Sequence, residues 1–175
     1  VWAAQGSLEH PEFFEKSALA ILISALLDGL DGKVARLTNT STEFGVQYDS
    51  LADLVAFGVA PAFMAYAWHL HIYKTTGIAV AFLFAACGAL RLARFNITTN
   101  VAPKKYSVGN TITASGCTMA TFVFFMPCVP DVLQPAVPGF LLGMTMILAV
   151  LMVSKVRYYS FKEFGWLKAH PYSSL

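Results

Sequence analysis

Four aspartates, Asp28, Asp31, Asp49 and Asp53, stand in stretches otherwise apolar enough for the interior of a lipid bilayer. No other feature limits the possible folds so strongly. A carboxylate near the bilayer centre costs about 2.5–3.5 kcal/mol even on the lenient insertion scale, so four facing lipid separately cost roughly 10 kcal/mol or more. The fold must gather them away from lipid and supply something that neutralises them.

The membrane assignment itself rests on composition. Of 175 residues, 57% are hydrophobic and 13% charged, against about 25% charged in soluble domains. The length fits a single domain over residues 1–175. Five stretches approach the roughly 20 apolar residues that a span needs: 13–37, 43–70, 77–95, 111–129 and 137–154. Alternation with a period of two is absent, which argues against a β-barrel. The expected fold is an all-α integral membrane protein, a polytopic helical bundle. A formal net charge of +2 gives no reason to expect a nucleic-acid partner. Cys87, Cys117 and Cys128 lie in apolar stretches without a CxxC pair and read as reduced packing residues. His69 and His71 flank a helix end and read as interfacial rather than metal-binding.

Charge placement orients the spans. Lys33, Arg36, Arg91, Arg94, Lys104, Lys105, Lys155, Arg157, Lys162 and Lys168 fall on one side, while of the 12 basic residues only Lys16 and Lys74 fall on the other. The positive-inside rule makes the crowded side cytoplasmic. Pro127, Pro130, Pro135 and Pro138 mark a turn on the opposite side, between the last two spans.

The acids lie in a helix–loop–helix unit. Thr40 followed by Glu43 is a capping-box pattern that predicts a new helix. Asp28 and Asp31 are three apart near the end of the first helix, and Asp49 and Asp53 four apart near the start of the second. Both spacings place a pair on one helix face, and an antiparallel hairpin lets the two faces meet. Two carboxylates 4 Å apart repel by about 4 kcal/mol at an effective dielectric near 20, so four converging require cations among them. Salt bridges do not suffice, because Lys33 and Arg36 alone oppose these acids and Glu43 within the segment. Hard oxygen donors suit Mg²⁺ or Mn²⁺, with Ca²⁺ also admissible. Two such ions neutralise four carboxylates and form the arrangement that clamps phosphoryl groups. Gly32, Ala35 and Gly45 leave room for a bulky ligand but also suit plain helix packing. Arg36 has two readings of equal weight, a phosphate ligand and an interfacial arginine. At 1.5 Å per residue Asp53 lies about 15 Å below Glu43, within a few turns of the cytoplasmic face.

These residues spell D-x2-D-G-x2-A-R-x8-G-x3-D-x3-D from Asp28 to Asp53. The pattern resembles the signature of the CDP-alcohol phosphatidyltransferase family at every fixed position and gap. The resemblance implies a six-helix membrane core, so a further helix is expected before Phe13 and the chain is expected to be a fragment. It also implies displacement of CMP from a CDP-linked alcohol, usually CDP-diacylglycerol, by the hydroxyl of a second alcohol, in a homodimer. Carried over by position, Asp28, Asp31 and Asp49 hold two divalent ions. Asp53 completes the cluster and accepts the hydroxyl proton, while Gly32, Ala35, Arg36 and Gly45 line the CDP site.

The wider text "EFGVQYDSLADLVAFGVAPA" and "AACGALRLARFN" looks like the branch of that family whose acceptor is L-serine, and a prokaryotic inner membrane is the expected location. Arg91 and Arg94 then become candidates for the serine carboxylate or a lipid phosphate, beside a plain role as positive-inside anchors. One departure stands out. In "SVGNTITASG", Asn110, Thr111 and Thr113 occupy positions where that branch has Leu and two prolines. Losing prolines changes how the next helix begins and bears on the acceptor or lipid pocket. Glycerol 3-phosphate and an inositol phosphate remain alternative acceptors. A cation-transport pathway remains a different class of reading, disfavoured because the acids gather near one face instead of spreading through the membrane depth.

Overall fold

The computed structural model describes residues 2–5, 12–38, 42–99, 106–154 and 157–159. The short helix α1 (Trp2–Gln5) is followed by α2 (Glu12–Thr38), α3 (Glu43–Asp53), a π-helical segment (Leu54–Val59) and α4 (Ala60–Trp68). A 3-10 turn (Leu70–Tyr73) leads into α5 (Lys74–Thr99), strand β1 (Tyr106–Val108) and α6 (Ile112–Phe124). Two 3-10 turns precede α7 (Val137–Val153) and strand β2 (Arg157–Tyr159). The helical bundle is as expected. The addition is the antiparallel β1–β2 ribbon, pairing Tyr106 with Tyr159, which period-two alternation did not reveal because each strand has three residues.

Of the five expected spans, three are long and apolar enough to cross a membrane among the described residues: Glu43–Trp68, Leu70–Ile97 and Val132–Val153. At 27 residues, α2 is about 40 Å long, but Asp28, Asp31 and Lys33 interrupt its apolar run. Helix α6 has 13 residues, about 20 Å, because Phe125 gives way to the 3-10 turn Met126–Cys128 and the prolines beyond it. The start of α3 also differs from expectation. Thr40 lies outside the described residues, and the N-cap is Thr42, whose Oγ1 accepts the Gly45 amide at 3.1 Å.

Packing follows the apolar faces. Helix α2 lies against α6, and α5 against α7. The core joins Phe14, Ala18 and Ile21 of α2 to Phe57, Met64, Phe84, Ile112, Met119, Leu141 and Met152. Only about a third of each span is buried within the chain, 33–39%, and the outward face is apolar, with Phe82 exposed by 74%. Such a surface belongs in hydrocarbon.

Close backbone approach takes the place of hydrophobic drive. Pro61 has no N–H, so the Phe57 carbonyl lacks its α-helical donor, and the chain there adopts π-type bonding, with the Ala60 amide on the Val55 carbonyl. Gly116 of α6 rests on this carbonyl: a β-carbon added there would stand 2.8 Å from Phe57 O. Ile112, fully buried, fills the space above Gly58 and Gly88. Farther up, Gly109 at φ +80 turns the chain over the end of α7, where an added β-carbon would stand 2.7 Å from Met152 O. Asn110 then donates its amide to Leu151 O at 3.2 Å, its Nδ2 reaches the buried Ser115 hydroxyl at 3.0 Å, and Thr111 caps α6 through the Ala114 amide at 3.1 Å. Asn110 and Thr111 thus start α6 by capping, where prolines would start it by restricting φ.

Gly116→Ala is expected to destabilise the detergent-solubilised chain by about 1–3 kcal/mol through overpacking. Gly143→Ala, with nothing within 4 Å of the new atom, should stay within about 0.5 kcal/mol. Thermal unfolding of both variants checks the contrast.

Candidate active site

The antiparallel passage from α2 into α3 brings the expected acids together. Single carboxylate oxygens of Asp28, Asp31 and Asp49 all lie within 4.8 Å of one another. Asp28 is half-buried while Asp31 and Asp49 are exposed. Asp53, also half-buried, stands outside this triad but close enough to Asp28 for the two carboxyls to interact. The spacing explains the meeting. Each helix presents its pair on one face, and the two faces meet.

The donor set suits a hard divalent cation. Oxygen ligands of Mg²⁺ or Ca²⁺ sit about 2.0–2.6 Å from the ion, so any two lie within about 4–5 Å of each other, and the 4.8 Å limit of the triad meets that condition. Carboxylates at this separation repel strongly without a cation between them. Asp28, Asp31 and Asp49 are therefore the residues that would hold such an ion, with Asp53 beside them.

The other expected residues divide. Gly32 continues α2 one turn beyond Asp28. The backbone of Ala35 and Arg36 extends the same helix, but their side chains lie outside the described residues. Gly45 sits in the first turn of α3, where its amide is taken by Thr42, so its local task is helix capping. Arg91 and Arg94, three apart on α5, point to different partners. Arg91 is half-buried and interacts electrostatically with Asp53, its guanidinium carbon 5.4 Å from the centre of the Phe95 ring. Arg94 donates to Val153 O at 3.1 Å, at the C-terminal end of α7, where a cation also complements the helix dipole.

Sequence reasoning missed Asn96. Its Nδ2 donates to Gln47 Oε1 at 3.3 Å and to Ser50 Oγ at 3.0 Å, linking α5 to the acid-bearing helix. The available signal was a polar pair three residues apart, Gln47 and Ser50, interleaved with Asp49 in an otherwise apolar span.

The chain is similar to known proteins along most of its length. The family model for CDP-alcohol phosphatidyltransferase matches residues 2–155. A Helicobacter pylori protein named CDP-diacylglycerol–serine O-phosphatidyltransferase is 42% identical over 153 residues, 87% of this chain and 64% of that protein. Proteins of the same name match from Bacillus subtilis, 35% identical over 84% of this chain and 76% of its own length, and from Saccharomyces cerevisiae, 42% identical over 63% and 40%. The chain thus spans a little under two thirds of the Helicobacter relative.

Arg94→Ala should lower thermal stability by about 0.3–1 kcal/mol, the usual worth of an exposed cation at a helix C-terminus. Arg94→Lys should recover most of that loss. A melting curve of each variant in detergent tests the assignment.

Proposed function

The chain belongs to the CDP-alcohol phosphatidyltransferase family, and on that footing we propose that it transfers the phosphatidyl group of CDP-diacylglycerol to the hydroxyl of L-serine, giving phosphatidylserine and CMP. The observation that carries the reading is the convergence of Asp28, Asp31 and Asp49 within 4.8 Å, with Asp53 and Arg91 beside them. The serine acceptor is supported by the names of the relatives. The donor is a lipid and the exterior of the bundle is apolar, so substrate and enzyme meet in one membrane.

In this reaction the serine hydroxyl oxygen forms a bond to the phosphorus that carries diacylglycerol. The bond from that phosphorus to the bridging oxygen of the diphosphate breaks, and CMP leaves with the electron pair. Asp53 accepts the hydroxyl proton, and its contact with Asp28 fixes where its carboxyl can point. Asp28, Asp31 and Asp49 would hold two divalent ions, Mg²⁺ or Mn²⁺, which when bound would supply charge stabilisation on the diphosphate and lower the pKa of a nearby hydroxyl. Gly32, Ala35, Arg36 and Gly45 border the CDP moiety. Arg91 faces the acceptor carboxylate or the lipid phosphate. Arg91 and Arg94 together make a sparser basic pocket than a dianionic acceptor such as glycerol 3-phosphate needs, which favours serine. The acids lie near the basic, cytoplasmic side of a prokaryotic inner membrane, and the apolar exterior accommodates a second copy in a homodimer.

Purified protein given labelled CDP-diacylglycerol and Mn²⁺ or Mg²⁺ should release CMP when L-serine is added, and chelation should stop the release. Lipid product formed with glycerol 3-phosphate but not with serine would refute the acceptor. Asp53→Asn should lose about 10²–10⁴-fold in kcat while still binding the CDP-lipid, whereas Asp28→Asn should raise the Mn²⁺ concentration needed for half-maximal rate. Equal, full activity in both variants would contradict the roles.

A further inference from the structure

Helix α3 carries Asp49 and Asp53 yet buries none of its residues. Packing inside the chain therefore does not fix its distance from α2 or α5. Its lower end continues into the π-segment, anchored by the buried Phe57 and Gly58. Its upper end, where Asp49 sits, needs a different hold.

Asn96 supplies one. The two hydrogens of its Nδ2 serve two acceptors, Gln47 Oε1 at 3.3 Å and Ser50 Oγ at 3.0 Å. The single Ser50 hydroxyl hydrogen has two acceptors in reach, Val46 O at 3.1 Å and Asn96 Oδ1 at 3.4 Å; given to the nearer, it ends the link on the backbone of α3. Gln47 and Ser50 are neighbours on the helix surface, and one carboxamide therefore grips α3 at two successive points. Here α3 and α5 run in opposite directions. Three residues beyond Ser50 along α3 comes Asp53, and five residues before Asn96 along α5 comes Arg91, the two groups that interact. The amide grip and the Asp53–Arg91 pair share one register between the same two helices.

We propose that Asn96 is a positioning residue, holding α3 so that the Asp49 carboxylate stays within coordinating distance of Asp28 and Asp31. This rests on the reading of the acid cluster as the metal and diphosphate site. Asn96 touches no reacting group and acts through Gln47 and Ser50. Metal donors tolerate little displacement, and hydrogen bonds made directly to the ligands change metal affinity by about 10–100-fold when removed; Asn96 acts one bond farther out, so the low end of that range applies.

The test is Mn²⁺ binding by the full chain in detergent, followed by the electron paramagnetic resonance signal of free Mn²⁺, with no lipid substrate present. Asn96→Leu keeps the approximate size and removes both donors, and it should weaken Mn²⁺ binding about tenfold. Gln47→Ala, at an exposed position, should weaken it less. The double variant Asn96→Leu/Ser50→Ala should bind no more weakly than Asn96→Leu alone, because both remove the same link. Wild-type affinity in Asn96→Leu, whatever its melting temperature, would overturn the proposal, as would fully additive losses in the double variant. If Asn96→Leu does not fold, Gln47→Ala and Ser50→Ala decide on the same readout, and unchanged affinity in both overturns it. Should the wild-type chain bind Mn²⁺ in an Asn96-dependent way yet release no CMP with serine, the reaction reading falls and the positioning role stands.

Discussion

Mutual repulsion among carboxylates governs this structure. Three acids with oxygens inside 4.8 Å are a high-energy arrangement until a cation enters it. An arrangement of this kind suits a bound cation better than it suits folding alone. Much of the chain reads as a scaffold around like charges: α2 and α3 carrying the acids, a π-segment that follows them, and α5 lying alongside, with Arg91 near Asp53 and Asn96 bonded to Ser50.

The scaffold has little hydrophobic drive available, since lipid competes for every apolar surface. It relies on intimate backbone contact instead. Gly116 against Phe57 and Ile112 above Gly58 and Gly88 bring α6 onto the segment that follows Asp53. The same economy appears at the upper rim. Gly109 passes close over the last carbonyls of α7, and Asn110 and Arg94 donate to them, so hydrogen bonds tie the start of α6 and α5 to the end of α7.

The acid cluster was legible in the sequence because it is written in helical spacing. Pairs three and four residues apart must share a face, and few geometries besides a hairpin make two such faces meet. What stayed hidden depends on register between helices distant in sequence. Nothing local says that Asn96 lies beside Ser50, 46 positions away, or that Arg91 and Arg94 turn to different partners. The cap at Thr42 was misplaced by two residues because several hydroxyls in "LTNTSTEFG" suit the same task, and only the Gly45 amide selects among them. The strands β1 and β2 are too short to carry a period.

The π-helical segment has a consequence for how this span is depicted. Bonding one residue farther back over Leu54–Val59 inserts a phase slip into an otherwise regular helix. A single helical wheel drawn from Glu43 to Trp68 therefore misassigns one half. Positions aligned with Asp49 and Asp53 above the slip do not continue along the same meridian below it. Two wheels are needed, one for the half that carries Asp49 and Asp53 and one for the half that packs into the core.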